Sequence, residues 1–427
     1  MSHVEEKAAP AGSFLTPLWS TVLRGWADRI VAGQLTLQFP DGTSHVAHGA
    51  LPGPSASMTV RSSKLIWRIA SSGSLGLARG YIEGDWDTSD LGALLELGVV
   101  NEAALRPLLE APGLGRALAT LRHRLRANTR AGSKRNIAFH YDLGNDFYRH
   151  WLDETMTYSC AYYSAPDIGL HQAQIDKLRH IAAKLKLEPG MHIAEIGSGW
   201  GALATFLART YDVRVTSVTL SPEQLAVARE RAIEEGVADK VTFLEQDYRN
   251  LAGTYDRVVS IAMMEAIGVA NFDNYFESIQ RLTKPGGFAL VHCIGRMSPP
   301  GTTAPFIRKY IFPGGYVPAL SEVFASLERT GTWCADMESL RLHYYWTIRD
   351  WRLAYEAKRE EAVAMMGDRF CRMWDFYLAS VELGFLHGSN FVFQLLISKQ
   401  RDDVPVIRDY IVDEERRLAQ SEAAQPA

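Results

Sequence analysis

Residues 192–201, His192-Ile193-Ala194-Glu195-Ile196-Gly197-Ser198-Gly199-Trp200-Gly201, decide the fold. A short apolar run breaks into three closely spaced glycines and then enters an apolar-periodic segment. That order predicts a buried strand, a tight turn and a helix, the opening of a nucleotide-binding α/β domain. Glycine suits the turn because the backbone must bend sharply and a ligand must approach where a Cβ would clash. The spacing Gly197-x-Gly199-x-Gly201 is not the G-x-G-x-x-G dinucleotide pattern. A glycine-rich turn in some other α/β protein is the alternative at this point.

The pattern stays regular on both sides of this loop. Apolar runs at 191–196, 213–220, 241–245, 256–262 and 287–293 predict buried parallel strands. Helical stretches lie between them, notably 222–236, which opens on the cap signature Ser221-Pro222-Glu223. This alternation predicts a doubly wound sheet. Residues 391–398 read as a late strand, and 296–388 as an aromatic-rich, mostly helical insertion that caps the site. Residues 13–110 read as a smaller α+β unit: Gln34–Phe39 alternates like a half-buried strand, Pro40-Asp41-Gly42-Thr43 is a hairpin-type turn, and Ala56–Arg61 is the candidate partner. Residues 62–103 read as mostly helical around Tyr81 and Trp86, with no catalytic constellation. The expected domains are 1–112, a basic linker helix at 113–135, and 136–427.

The linker carries the uneven part of the charge. Between Glu110 and Asp142 there is no acidic residue, whereas Arg116, Arg122, Arg124, Arg126, Arg130, Lys134 and Arg135 all fall there. Leu114, Leu118, Leu121 and Leu125 share one helical face. Such a helix either lies on an anionic lipid surface or packs between domains with its arginines solvated. The 427 residues are 47% hydrophobic and 22% charged, with net charge −4, which gives no reason to expect nucleic-acid binding. No apolar run is long enough to span a membrane, and the polar MSHVEEKAAPAG start lacks a signal-peptide pattern. The four cysteines, Cys160, Cys293, Cys334 and Cys371, are widely spaced, which argues against a disulfide framework or zinc site. A cytoplasmic protein is expected.

In an open parallel sheet, ligands bind at the carboxyl ends of the strands. Those ends carry Gly197-Ser198-Gly199, then Thr219-Leu220-Ser221 with Gln224, Gln246-Asp247-Tyr248, Met263-Met264-Glu265, and His292-Cys293-Ile294. Asp247 is placed to accept from an adenine amino group. No acid follows the second strand to hold a ribose diol, and Gln224 is the obvious substitute.

Taken together, the Glu-x-Gly-x-Gly-x-Gly loop resembles motif I of the S-adenosylmethionine-dependent methyltransferases. The blocks His140–Tyr148, Thr157–Tyr162, Thr219–Gln224, Met264–Gly268, Lys284–Gly287, Lys309–Gly315 and Tyr344–Trp351 resemble, in order, the cyclopropane fatty acid synthase family. The resemblance runs from about 136 to 400, and the N-terminal unit is similar to that of the phospholipid-acting bacterial members. It implies a class I methyltransferase fold and methylene transfer to the cis double bond of an unsaturated phospholipid acyl chain, with S-adenosylmethionine as cofactor and bound bicarbonate as base. Carried over, the cofactor site is Tyr158, Ser159, Gly197, Ser198, Gly199, Thr219, Leu220, Gln224, Asp247 and Tyr248. The bicarbonate holders are Glu265, His292, Tyr344 and the backbone around Cys160 and Ile294.

Alternatives stay open at single residues. No step requires a nucleophile, so Cys160 has a backbone or packing role; His292 is otherwise a satisfied core histidine; His140 and His150 are structural. Tyr162, Tyr163, Phe312, Tyr345 and Trp351 are the candidate lining for a carbocation, as a group. Two departures from the family pattern matter: Ala266 stands where His is common, and Met263-Met264 where Met-Phe is common. Either could redirect the carbocation to a methylene- or methyl-branched chain, and a small-molecule methyltransferase is the further alternative. The resemblance implies association with the inner membrane face; a homodimer is left open.

Overall fold

Strand alternation in the first hundred residues builds a small sheet of four strands: β1 (Ala32–Gln38), β2 (Ser44–His48), β3 (Leu51–Val60) and β4 (Trp86–Asp87), in the order β2-β1-β3-β4. The computed structural model describes residues 18–109 and 143–423, and the chain divides into two compact units at Ala111/Pro112. The linker helix expected at 113–135 and the His140–Asp142 part of the first family-like block lie outside the described residues. Phe39–Thr43 turns as expected, but the hairpin partner of β1 is β2. Ala56–Thr59 pairs with β1 in parallel instead. The stretch after the turn is long enough for a short strand before Gly49, and that strand takes the antiparallel place.

One buried amide ties this unit together. Asn101 Oδ1 accepts from the Val31 and Ala32 amides at 2.7 and 3.0 Å, and its Nδ2 donates to the carbonyls of Ala32 and Leu97. It therefore satisfies the strand start and the end of the Leu91–Val100 helix at once. Tyr81 of the Ser74–Ile82 helix packs on Trp86 of β4 at 4.9 Å, and Trp86 Nε1 donates to the Leu77 carbonyl of the same helix.

The second unit is a seven-stranded sheet. Its strands are β5 (His192–Ile196), β6 (Arg214–Thr219), β7 (Val241–Glu245), β8 (Tyr255–Ile261), β9 (Thr283–Arg296), β10 (Trp333–Ser339) and β11 (Asn390–Ser398), in the order β10-β11-β9-β8-β5-β6-β7. The five central and flanking strands β5 to β9 run parallel, while β11 is antiparallel to β9 and β10 to β11. Their central residues are mostly buried because helices cover both faces. One core lies under the Leu170–Leu185, Ala202–Tyr211 and Pro222–Glu234 helices, the other under Phe272–Leu282 and Leu320–Thr330. The order reverses on either side of β5, which places the ligand crevice at its carboxyl end. The 296–388 insertion is not all cap: it also supplies β10, an edge strand, and the Leu320–Thr330 helix packed on Phe272–Leu282.

Replacing Asn101 with Leu would leave the Val31 and Ala32 amides without an acceptor. We expect a loss of about 2 kcal/mol or more in the stability of the first unit. Denaturant unfolding checks it, and an unchanged midpoint would remove this amide as the tie.

Candidate active site

The carboxyl ends of β5, β6, β8 and β9 open into a cavity of about 470 Å³. Its floor is the glycine loop, in which Gly197, Gly199 and Gly201 all have positive φ (+96°, +49° and +90°). The Gly197 and Ser198 amides donate to the Val218 carbonyl at 3.0 and 3.1 Å, which pins the loop to β6. A Cβ on Gly197 would lie 2.6 Å from Met263 Cγ, whereas one on Gly199 would meet nothing within 4 Å and would project into open space. The loop thus offers bare backbone to a ligand. Thr219, Leu220, Gln224 and Tyr248 complete this side. Ser221 caps the Pro222–Glu234 helix by accepting from the Gln224 amide at 3.3 Å, and Gln224 Oε1 accepts from Thr219 Oγ1 at 3.4 Å.

Asp247 departs from expectation. It is not among the residues lining the cavity. Its carboxylate caps the Tyr248–Asn250 turn by accepting from the Arg249 amide, and it accepts twice more from the Arg249 guanidinium, at 2.8 and 2.5 Å. The acid is thus held by Arg249 outside the cavity lining, and Gln246, one residue earlier, reaches the cavity instead.

Tyr158 and Ser159 lie opposite the loop. Gln174 straps their segment by donating to the Thr157 and Ser159 carbonyls at 3.2 and 3.1 Å. Lys177 Nζ donates to Ser159 Oγ at 3.0 Å. Burial lowers the Lys177 ammonium to about 8 and raises the Glu195 carboxyl to about 8, so both are pulled toward neutrality at the cavity floor.

Glu265 is delivered by an unusual turn. After β8, Ala262 sits at φ +53° and its amide donates to the His292 carbonyl at 2.9 Å; the Met264–Ala266 turn follows. A small residue keeps the steric cost of this left-handed conformation low, and such positions recur at functional sites. The Glu265 carboxyl then reaches the end of β9, where Oε1 accepts from the Ile294 amide at 2.7 Å. Its other oxygen, Oε2, is buried and has no partner of hydrogen-bond geometry among the described residues, with only the weakly donating Cys293 thiol against the carboxyl. Burial raises the carboxyl to about 7. Buried polar atoms are nearly always satisfied, so this oxygen on a wall of the cavity is open to a water or a small polar ligand.

Ile294 and Tyr344 join Glu265 on that wall; His292 and Cys160 are not among the lining residues. His292 is buried just behind it, and its Nδ1 lies 3.2 Å from Gln394 Nε2. Burial holds its imidazole well below the ordinary range. Cys160 Sγ donates to the Ala161 carbonyl, and burial pushes its thiol far up, which leaves it no nucleophile. His150, at 3.0 Å from the Lys358 carbonyl, is structural.

The aromatic wall differs from the expected one. Of the five rings proposed, only Phe312 lines the cavity. Tyr162 stacks on His180 at 4.1 Å, Tyr163 donates to Asp350, and Trp351 backs Tyr158 at 4.9 Å. Tyr158, Trp200, Tyr316, Tyr344, Tyr377 and Phe385 line it instead. Tyr377, Val381 and Phe385 recur every four residues on the Asp368–Leu386 helix, a periodicity visible in the sequence. Tyr158 and Tyr377 share a hydroxyl hydrogen bond of 2.8 Å across the cavity wall.

The reversal of strand order at the glycine loop and the methyltransferase-type sheet define a class I S-adenosylmethionine-dependent methyltransferase. The chain matches the family model described as mycolic acid cyclopropane synthetase over residues 128–395. It is 36% identical to the cyclopropane-fatty-acyl-phospholipid synthase of Escherichia coli over 348 residues, 81% of this chain and 88% of that one. It is also 36% identical to a probable fatty acid methyltransferase of Pseudomonas putida over 363 residues, 82% of this chain and 89% of that one. The solved mycolic acid cyclopropane synthase CmaA1, complexed with SAH and CTAB, superposes with a TM-score of 0.58 at 31% identity, over 62% of this chain and 97% of that one. The chain belongs to the cyclopropane synthase family and is a methyltransferase of the cyclopropane-fatty-acyl-phospholipid synthase type, transferring one carbon from S-adenosylmethionine to lipid acyl chains.

Two expectations follow. Gly197→Ala should lose cofactor binding by at least about tenfold, because its Cβ meets Met263 and its φ disfavours any side chain; calorimetric titration reads it, and unchanged affinity would refute the fit. Glu265 has a folded pKa of about 7 above its ordinary 4.5, so it favours the folded state below pH 4.5 and that benefit is lost as pH rises to about 7. Glu265→Gln, which keeps the bond to Ile294, should therefore melt above the wild type at pH 8 in bicarbonate-free buffer, with the margin shrinking toward pH 5. A pH-independent margin would contradict the buried, neutral carboxyl.

Proposed function

We propose that the protein forms cyclopropane rings on the cis double bonds of phospholipid acyl chains, with bicarbonate as the base. The observation that carries this reading is the unpaired, buried Glu265 Oε2 beside the Ile294 amide on the wall of an aromatic cavity. The bare Gly199 backbone, Gln224 and Tyr158 are suited to hold the cofactor. When bound, S-adenosylmethionine supplies an electrophilic methyl to the alkene, and the resulting acyl carbocation closes to a ring on losing a proton from that methyl.

The chain's own residues do the rest. Glu265, whose carboxyl burial raises to about 7, in its neutral form donates from Oε2 to a bicarbonate oxygen and so tolerates an anion that a carboxylate would repel. Tyr344 offers a hydroxyl donor from the same wall. Tyr158, Phe312, Tyr377 and Phe385 exclude water, which would capture the cation, and their ring faces stabilise positive charge by about 0.5–2 kcal/mol each. The basic stretch at 113–135 is read as the part that meets an anionic membrane surface, which fits a phospholipid substrate.

A second reading has its own support. The Pseudomonas putida relative is a probable fatty acid methyltransferase at the same identity, and Ala266 and Met264 alter the base side of the site. There the same cation would resolve to a branched chain. Incubation with S-adenosylmethionine and monounsaturated phospholipid vesicles, followed by proton NMR of the acyl product, separates the two: upfield ring-methylene protons are expected, and retained olefinic protons on a chain one carbon heavier would favour branching. Glu265→Leu, which removes the donor to bicarbonate, should lower turnover at least about tenfold with cofactor affinity near normal; unchanged turnover would remove Glu265 from the reaction.

A further inference from the structure

His292 stands behind the cavity wall on β9, and its two strand neighbours differ in kind. Its register partner on β8 is Ile261, which lines the cavity, and on β11 it is Gln394, which does not. Gln394 is buried and bonded at both ends of its amide. Lys184 Nζ donates to Oε1 at 2.8 Å, and Nε2 lies 3.2 Å from His292 Nδ1. An ammonium has donors only, so the amide atom that faces it must be the oxygen. That settles the orientation of Gln394, and with it the hydrogen bond on the other side: Nε2 donates and Nδ1 accepts. Lys184 is itself held by Glu338, which also accepts from His180 Nε2 at 2.7 Å, while Glu415 of the C-terminal helix lies against His180 Nδ1.

We propose that Lys184 and Gln394 are positioning residues that lock His292 in the tautomer with its proton on Nε2. The Lys184 ammonium orients the amide, the amide blocks Nδ1, and the ring's remaining nitrogen carries the hydrogen. Because Nδ1 is turned toward β11, Nε2 is turned to the β8 side, where the turn into Glu265 begins. The ring is thereby a fixed donor and not an acceptor toward the anion side of the site; its role there rests on the bicarbonate reading above. Burial and the cations of Lys177 and Lys184, with His180 nearby, keep the ring neutral, so a single proton is all it has to place. In this arrangement tautomer choice is set by two buried residues, Lys184 and Gln394, that do not line the cavity.

The test is nitrogen NMR on the full chain labelled at histidine, with the His292 signals assigned by their absence in His292→Asn. The wild type should show a protonated Nε2 and an unprotonated Nδ1; the opposite tautomer, or a doubly protonated ring at pH 7, would overturn the proposal. Gln394→Glu replaces the donor with an acceptor and should move the proton to Nδ1. Lys184→Met removes the orienting cation and should give a mixture of both tautomers. With Gln394→Glu the bicarbonate concentration for half-maximal turnover should rise about tenfold or more with cofactor affinity within twofold. A tautomer that survives both substitutions would overturn the lock even if activity falls. Turnover in the wild type that ignores bicarbonate would instead sink the base reading and leave the tautomer assignment to be judged by the spectra alone.

Discussion

Glu265 gives one carboxyl oxygen to the Ile294 amide and leaves the other in a buried wall of the cavity without a hydrogen-bond partner among the described residues, a state that calls for a water or a small ligand to complete it. Much of the second unit serves that arrangement. The left-handed turn at Ala262 swings the carboxyl across from β8 to β9, and the Tyr316 amide, donating to the Glu265 carbonyl at 2.8 Å, clamps the insertion onto the same turn. Burial does the electrostatic work: it raises the carboxyl into the neutral range, where it can face an anion instead of repelling it.

The same low-dielectric setting governs the neighbouring ionisable groups. Lys177 and Glu195 at the floor are both pulled toward neutrality, and His292 is held neutral. A cationic cofactor and a carbocation need rings and a few fixed dipoles around them, and free water is the hazard. One cluster of buried and half-buried charges stands apart from the cavity lining. Lys184, Glu338, His180 and Glu415 bond one another there and satisfy themselves away from the reacting chain.

The first unit answers a different constraint. Its sheet is short, with two-residue β4 at one edge, so its order depends on a few buried polar contacts such as Asn101 and on the Tyr81–Trp86 pair. Its strand pairing shows how local signals mislead: the Phe39–Thr43 turn specified a hairpin, but which downstream strand closed it depended on the ten-residue β3 finding a parallel place on the other side of β1.

The parallel strands, the glycine loop, the Ser221 cap and the late strand at 391–398 were all legible in the sequence, because apolar runs, positive-φ glycines and caps are local properties. Gln224, Tyr158, Glu265, Ile294 and Tyr344 could be placed by strand-end position and by the family-like blocks, and each does line the cavity. What the sequence could not decide was direction. Asp247 sits at a strand end like Glu265, yet Arg249 two residues on captures it; Tyr162 and Trp351 are aromatic like Tyr377, yet they stack behind the wall. The edge strand β10 inside the insertion and the contact between Gln394 and His292, 102 residues apart, arise only when β11 inserts antiparallel beside β9. Periodicity fixes which residues are buried, while side-chain partners across a sheet are chosen by strand order and register, which only the tertiary fold supplies.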